Sequence, residues 1–134
     1  MRDGESAGLD PCVLRLVPLG VDVVDVTAAD IDRVRRRHLL PEDFVLFVGT
    51  FEPRKNLRRL VAAVDQIDLP LVIAGADGWG DVGVVPDANT TFLGFVPDRD
   101  LAALYASASV FAYPSEREGF GLPVAEAMAQ GTPV

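Results

Sequence analysis

From Asp43 onward the chain falls into apolar runs of four to six residues, each closed by glycine or proline and followed by a stretch with helical spacing. The runs Phe44 to Val48 (FVLFV), Leu71 to Ala74 (LVIA), Thr90 to Leu93 (TTFL) and Val110 to Tyr113 (VFAY) read as strands. Their lack of alternation suits strands covered on both faces, as in a parallel sheet. Between them Leu57, Leu60, Val61, Val64 and Ile67 recur at helical spacing, as do Leu101, Leu104 and Tyr105, and then Val124, Ala125, Met128 and Ala129. These predict three crossover helices. Strand and helix in alternation give an α/β fold with a doubly wound parallel sheet, in which ligands bind beyond the carboxyl ends of the strands. The loops directly after strands are where chemistry is expected.

The N-terminal part is less regular. Residues 1–12 mix Gly, Ser, Asp and Pro without period and read as a linker or disordered start. One short strand is expected across Val13 to Pro18 and Val21 to Val26. Thr27 and Asp30 then signal a helix start, and Arg33, Arg35, Arg36, Arg37 and His38 suit a helix C-terminus. At the other end Gly131 reads as a helix cap and Pro133-Val134 as the first residues of a further strand. The sequence is therefore expected to stop in mid-domain, without the sheet's last strand and closing helices. That would leave the edge beyond Val110 to Tyr113 bare and inclined to associate.

Composition narrows the function. The 134 residues, 49% hydrophobic and 24% charged, suffice for one core. A net charge of −8 argues against a nucleic-acid partner, which needs a broad basic face. Eleven arginines accompany a single lysine, Lys55, so any phosphate must be gripped locally. One cysteine (Cys12) and one histidine (His38) supply neither a disulfide framework nor a metal site, and no Ser-His-Asp or Cys-His arrangement can be drawn. No apolar run reaches the roughly 18 to 20 residues of a membrane helix, and the polar, acidic start does not read as a signal peptide. A soluble, cytoplasmic chain is expected.

Three of the loops that follow strands carry candidate chemistry of their own. After the fourth run comes Pro114-Ser115-Glu116-Arg117-Glu118-Gly119-Phe120-Gly121-Leu122-Pro123, leading into a helix with Pro123 in its first turn. A helix N-terminus with open backbone N–H groups is an anion site. Glu118 and Glu126 are expected to flank this loop, where carboxylates can accept hydrogen bonds from sugar hydroxyls. Read plainly, Glu118 is a helix-start acid and Glu126 a solvated helix residue. After the first run, Arg54 and Lys55 could supply the local cationic grip or be surface charge, with Asn56 capping the next helix. After the second, Gly75-Ala76-Asp77-Gly78-Trp79-Gly80 is a glycine-rich turn whose tryptophan reads as packing. Asp30/Asp32 and Asp98/Asp100 match Asp-x-Asp patterns but read as helix starts, and neither a dinucleotide fingerprint nor a P-loop occurs.

Together VLFVGTFEPRKNLRRLVAAV, LVIAGADGWG, TFLGFVPDRDLAALYASASVFAYPS and EGFGLPVAEAMAQGTPV resemble the C-terminal, donor-binding domain of retaining GT-B glycosyltransferases of the group-one family (glycosyltransferase family 4-like). The likeness runs from about Val13 to the last residue, with seven residues between Glu118 and Glu126 in its most specific part. It implies a hexosyltransferase (EC 2.4) that passes a sugar from a UDP-, GDP- or ADP-linked donor to a sugar, lipid or other glycoconjugate acceptor with retention. No cofactor or metal is required. Carried over by position, Glu118 would contact donor-sugar hydroxyls and Glu126 the ribose, and the backbone of Gly119, Phe120, Gly121 and Leu122 would bind the diphosphate. Lys55 would neutralise charge on the departing diphosphate, and Gly49, Arg54, Phe95 and Val96 would complete the donor site. Thr50 stands where many members carry arginine, so Arg54 is expected to supply that charge.

The same resemblance implies that residues 13–134 are part of a C-terminal domain, and that an N-terminal GT-B domain is missing. That domain would carry the acceptor site and any peripheral contact with the inner membrane face. The isolated chain is expected to bind donor without transferring sugar. The competing readings are a non-catalytic nucleotide-sugar-binding remnant and a sugar-nucleotide epimerase of the same architecture.

Overall fold

The computed structural model describes residues 8, 10, 15, 17, 19–76, 78 and 89–134. Helix α1 (Ala28–His38) leads into β1 (Val45–Val48), a 3-10 turn (Pro53–Lys55), α2 (Leu57–Val64) and β2 (Leu71–Ala74). Then follow β3 (Thr90–Gly94), α3 (Asp98–Ser107), β4 (Val110–Phe111) and α4 (Leu122–Ala129). The four strands form one parallel sheet in the order β3-β2-β1-β4.

The apolar runs alternate after all, but between two interiors rather than between core and water. Leu46, Val72 and Ala74 point to one face, where Val34 of α1, Ala103, Leu104 and Tyr105 of α3 and Ala127 of α4 cover them. Val45, Phe47, Leu71 and Ile73 point to the other, beneath Leu57, Leu60 and Val64 of α2. Helices on both faces make the sheet doubly wound, and explain why strands buried on both sides need continuous apolar sequence.

Local chemistry sets the element ends. Thr27 and Asp30 form a capping box at the start of α1, bonding each other's backbone N–H groups. Gly131, at φ 77°, closes α4 with Gly131 N–H donating to the Met128 carbonyl and Thr132 N–H to Ala127, the paired bonds of a Schellman motif. Gly75 meets Gly49 so closely that a Cβ on it would lie 1.9 Å from the Gly49 carbonyl oxygen. Only glycine lets the ends of β1 and β2 meet there.

Five sequence expectations change. Residues 19–27 form no strand; Val13 to Pro18 lies largely outside the described residues, as do Asp77, Trp79 and Gly80. Strand β4 stops at Phe111, although Ala112 N–H still donates to the Leu46 carbonyl at 2.8 Å. Beyond β4, Phe111 N–H donates to the Pro133 carbonyl at 2.8 Å, so the expected continuation at Pro133 already shields part of that edge. Asn56 occupies the α2 N-cap position at φ 59°, but its amide donates to the Pro114 carbonyl, tying the loop after β1 to the loop after β4.

The fifth change concerns Asp100. It is not a helix cap: it is fully buried on α3 and takes the guanidinium groups of Arg33 and Arg37 from α1. Hydrogen bonding from Arg33 lowers its pKa against the opposing effect of burial, with Arg37 and Arg99 adding their charge. Arg35 caps carbonyls at Pro41, Glu42 and Ser107. The arginine run read as a helix-end feature is thus also the tie between α1 and α3.

Candidate functional site

The strand order reverses between β1 and β4. In such sheets the loops after the two strands that flank the reversal part from each other and leave a crevice. The loop after β1 carries Arg54 and Lys55, and the loop after β4 carries Glu118. They are stitched together by Glu116 N–H donating to the Arg54 carbonyl at 2.9 Å and by Arg54 donating to the Arg117 carbonyl at 3.1 Å.

At the centre Lys55 Nζ donates to Glu118 Oε1 at 2.7 Å, and Arg54 donates to the same oxygen at 2.9 Å. Lys55 is 5% exposed, an extreme value for lysine that demands partners. Tyr113 supplies the second: its hydroxyl accepts from Nζ at 2.7 Å, and its ring centroid lies 4.8 Å from the same nitrogen. Glu52 steadies Arg54 through a 2.6 Å bond from Nε and is itself bonded by Thr50. Burial works against the Glu118 charge, but Lys55, Ser115 and Arg54 outweigh it and bring its pKa down to about 2. At neutral pH Glu118 is a carboxylate that can only accept hydrogen bonds.

Lys55, Tyr113 and Glu118 line a cleft of about 570 Å³ with Gly119, Phe120, Gly121, Leu122 and Pro123. Gly121 stands at the N-cap of α4 with φ 83°, a conformation that would strain other residues, and turns the chain so that the helix starts at the cleft wall. Phe120 remains 55% exposed at the rim.

A second cleft, of about 360 Å³, lies beside the first and shares Leu122 with it. Glu126 lines it together with Asp22, Asp98, Tyr105 and Gln130. The buried Tyr105 hydroxyl donates to Glu126 Oε2 at 2.9 Å, and burial followed by the Glu126 charge raises the tyrosine's pKa. Gln130 reaches the Val24 carbonyl at 3.1 Å and holds the extended 19–27 segment along this cleft. The two glutamates expected to flank one loop therefore open into neighbouring clefts.

Lys55, Glu118, Gly119, Phe120, Gly121 and Leu122 thus lie together around one cleft, and Arg54 joins them by bonding Glu118. Gly49 packs near the Lys55 stem, where an added Cβ would lie 3.7 Å from Cε. Phe95 and Val96 line neither cleft: Phe95 is exposed, and Val96 is buried in the core. Tyr113 and Tyr105 were missed as site residues, because aromatic positions at a strand end and on an apolar helix face read as core. Among the described residues no cluster of acids, histidine and cysteine could hold a metal, and no helix is long and apolar enough to cross a membrane.

A parallel, doubly wound sheet with this cleft at its point of reversal is the Rossmann-like unit found in GT-B glycosyltransferases. A family model described as glycosyl transferases group 1 matches residues 30–134, and the chain belongs to this family. It is 40% identical over 114 residues to the O-antigen chain mannosyltransferase B of Escherichia coli, covering 75% of this chain and 30% of that protein. It is 41% identical over 120 residues to a GDP-mannose-dependent alpha-mannosyltransferase of Mycolicibacterium smegmatis, covering 86% of this chain and 31% of that protein. Among solved structures, the sucrose-phosphate synthase of Thermosynechococcus elongatus superposes with a TM-score of 0.72 at 35% identity, covering 90% of this chain and 34% of the synthase. WaaG, a glycosyltransferase involved in lipopolysaccharide biosynthesis, shares the fold with a TM-score of 0.77 at 19% identity, covering 98% and 40% of the two chains. The chain thus spans about a third of the length of these four proteins.

Proposed function

We propose that the two clefts hold a nucleotide-sugar donor for a retaining hexosyl transfer, with the diphosphate and sugar in the Lys55–Glu118 cleft and the ribose beside Glu126. The observation that carries this reading is the meeting of Lys55, Arg54 and Glu118 from two different strand ends at the sheet's reversal. Although Glu52 and Glu118 balance the two cations, the cluster sets charged N–H donors beside a helix N-terminus in an otherwise acidic chain, which suits a diphosphate. Gly119 has open space where a Cβ would lie, so no neighbouring group requires glycine there and its bare backbone is left for a ligand.

The chemistry follows from the protonation states. Glu118, ionised at neutral pH, accepts hydrogen bonds from donor-sugar hydroxyls and is not the proton donor. Lys55 stabilises the negative charge that grows on the diphosphate as the glycosidic bond breaks, which is where a preorganised cation lowers the barrier. Glu126, with Oε2 held by Tyr105, accepts from the ribose hydroxyls. The acidic wall of that cleft favours a neutral polyol over a phosphate. Because two relatives at about 40% identity are mannosyltransferases, one of them GDP-mannose-dependent, GDP-mannose is the donor of first choice.

Transfer requires an acceptor site and exclusion of water, so the 134-residue chain binds donor without turning it over. Ligand-observed NMR with UDP-, GDP- and ADP-sugars tests the reading. Binding of one nucleotide series, weakened in Glu126→Ala, supports it; a folded chain that binds none of them refutes it.

A further inference from the structure

We propose that Tyr113 is the positioning residue for Lys55, fixing its ammonium group so that one of its three N–H donors faces the cleft. This deepens the donor-site reading and rests on it. An ammonium has three donors and no acceptor, and a free lysine side chain samples many rotamers. Here Glu118 Oε1 takes one donor at 2.7 Å and the Tyr113 oxygen another at 2.7 Å. The third is left for a ligand.

Glu118 alone would not hold the ammonium in place. Its carboxylate is shared with Arg54, lies on the loop after β4, and is itself expected to engage the donor sugar. Tyr113 is anchored differently. It follows β4 directly, its ring stacks on Phe47 and Phe111 with centroids 6.1 Å and 5.7 Å apart, and it lines the cleft. The packed ring fixes the place of the hydroxyl that accepts from the ammonium, so the charge is held by a rigid group and not by a mobile side chain. Since the hydroxyl oxygen accepts from Lys55, its own proton is free to donate. Among the described residues it meets no acceptor, and it stands in the same cleft.

The test exploits the single lysine of the sequence. In the 15N-lysine-labelled full chain only one side-chain ammonium resonance exists, observable when hydrogen bonding slows its exchange with water. Tyr113→Phe removes the hydroxyl and keeps the ring, while Tyr113→Leu removes both. The proposal expects the resonance to shift and broaden in Tyr113→Phe and to vanish in Tyr113→Leu, with amide spectra otherwise preserved. Affinity for UDP, GDP or ADP, whichever the wild type binds, should fall about fivefold in the first variant and further in the second. An ammonium resonance and affinity unchanged in both variants would overturn the proposal. If the resonance follows Tyr113 while the wild type binds no nucleoside diphosphate, the tyrosine's hold on Lys55 stands and the donor-site reading falls.

Discussion

Asp100 and Glu118 are both carboxylates held by two basic side chains, yet their burial is inverted. At Asp100 the acid side chain is 0% exposed, and the arginines that cover it, Arg33 and Arg37, stand half in solvent at 42% and 47%. At Glu118 the base is buried, with Lys55 at 6%, while the carboxylate is 22% exposed and faces a cleft. Pairing of acid and base is common to both and marks neither as a site. What differs is access: a small ligand can reach Glu118 and Lys55 through the cleft, whereas Asp100 is sealed between α1 and α3. The first arrangement can exchange an internal partner for an external one, and the second can only hold the fold together.

Substitutions break this contrast in opposite ways. Asp100→Ala should cost about 2–3 kcal/mol of folding stability in denaturant titration, since it empties a buried position and strips charge-assisted bonds from two arginines. Donor binding by the folded fraction should not change. Lys55→Met should do the reverse: nucleoside diphosphate affinity should fall roughly 30-fold, about 2 kcal/mol by calorimetry, with a stability change under about 1 kcal/mol. Loss of binding in Asp100→Ala, or retained binding in Lys55→Met, would erase the distinction.

Two smaller effects sharpen it. The folded-state pKa of Glu118 is about 2 against an ordinary 4.5, so its contribution to stability is complete above pH 5 and is lost as pH falls toward 2. The stability difference between wild type and Glu118→Gln should therefore be flat above pH 5 and shrink below pH 4. Tyr105→Phe removes the hydroxyl bonded to Glu126 and should cost about 1 kcal/mol, weakening nucleoside binding only slightly because the carboxylate itself remains.

Much of the fold was legible because strands buried on both faces need continuous apolar runs, and β2 begins and ends where LVIA does. Strand β4 was overestimated because Ala112 and Tyr113 are apolar enough to continue it. The pairing with β1 ends on the bond from Ala112 N–H to the Leu46 carbonyl, and Tyr113 turns to Lys55 instead. In the site, Glu118 and Lys55 stood out by motif, but the Arg54–Glu118 contact joins residues 64 positions apart, which spacing cannot reveal. Helical periodicity placed Glu126 one turn inside α4 without showing that Leu122 lies between its cleft and that of Glu118. The buried role of Asp100 was hidden for a related reason, since an acid in the first turn of a helix already has a sufficient local explanation.

The proposed ligand site lies at Glu118 and Lys55 and not at the equally well-paired Asp100. Amide chemical-shift mapping of the 15N-labelled chain during titration with GDP-mannose, then UDP- and ADP-sugars, addresses it directly. Saturable shifts are expected at Lys55 and along Glu118–Leu122 for one of these donors, with the amides of Arg33, Arg37 and Asp100 unmoved. Shifts centred on α1 and α3, or no saturable shifts in a folded chain with any of the donors, would contradict that placement.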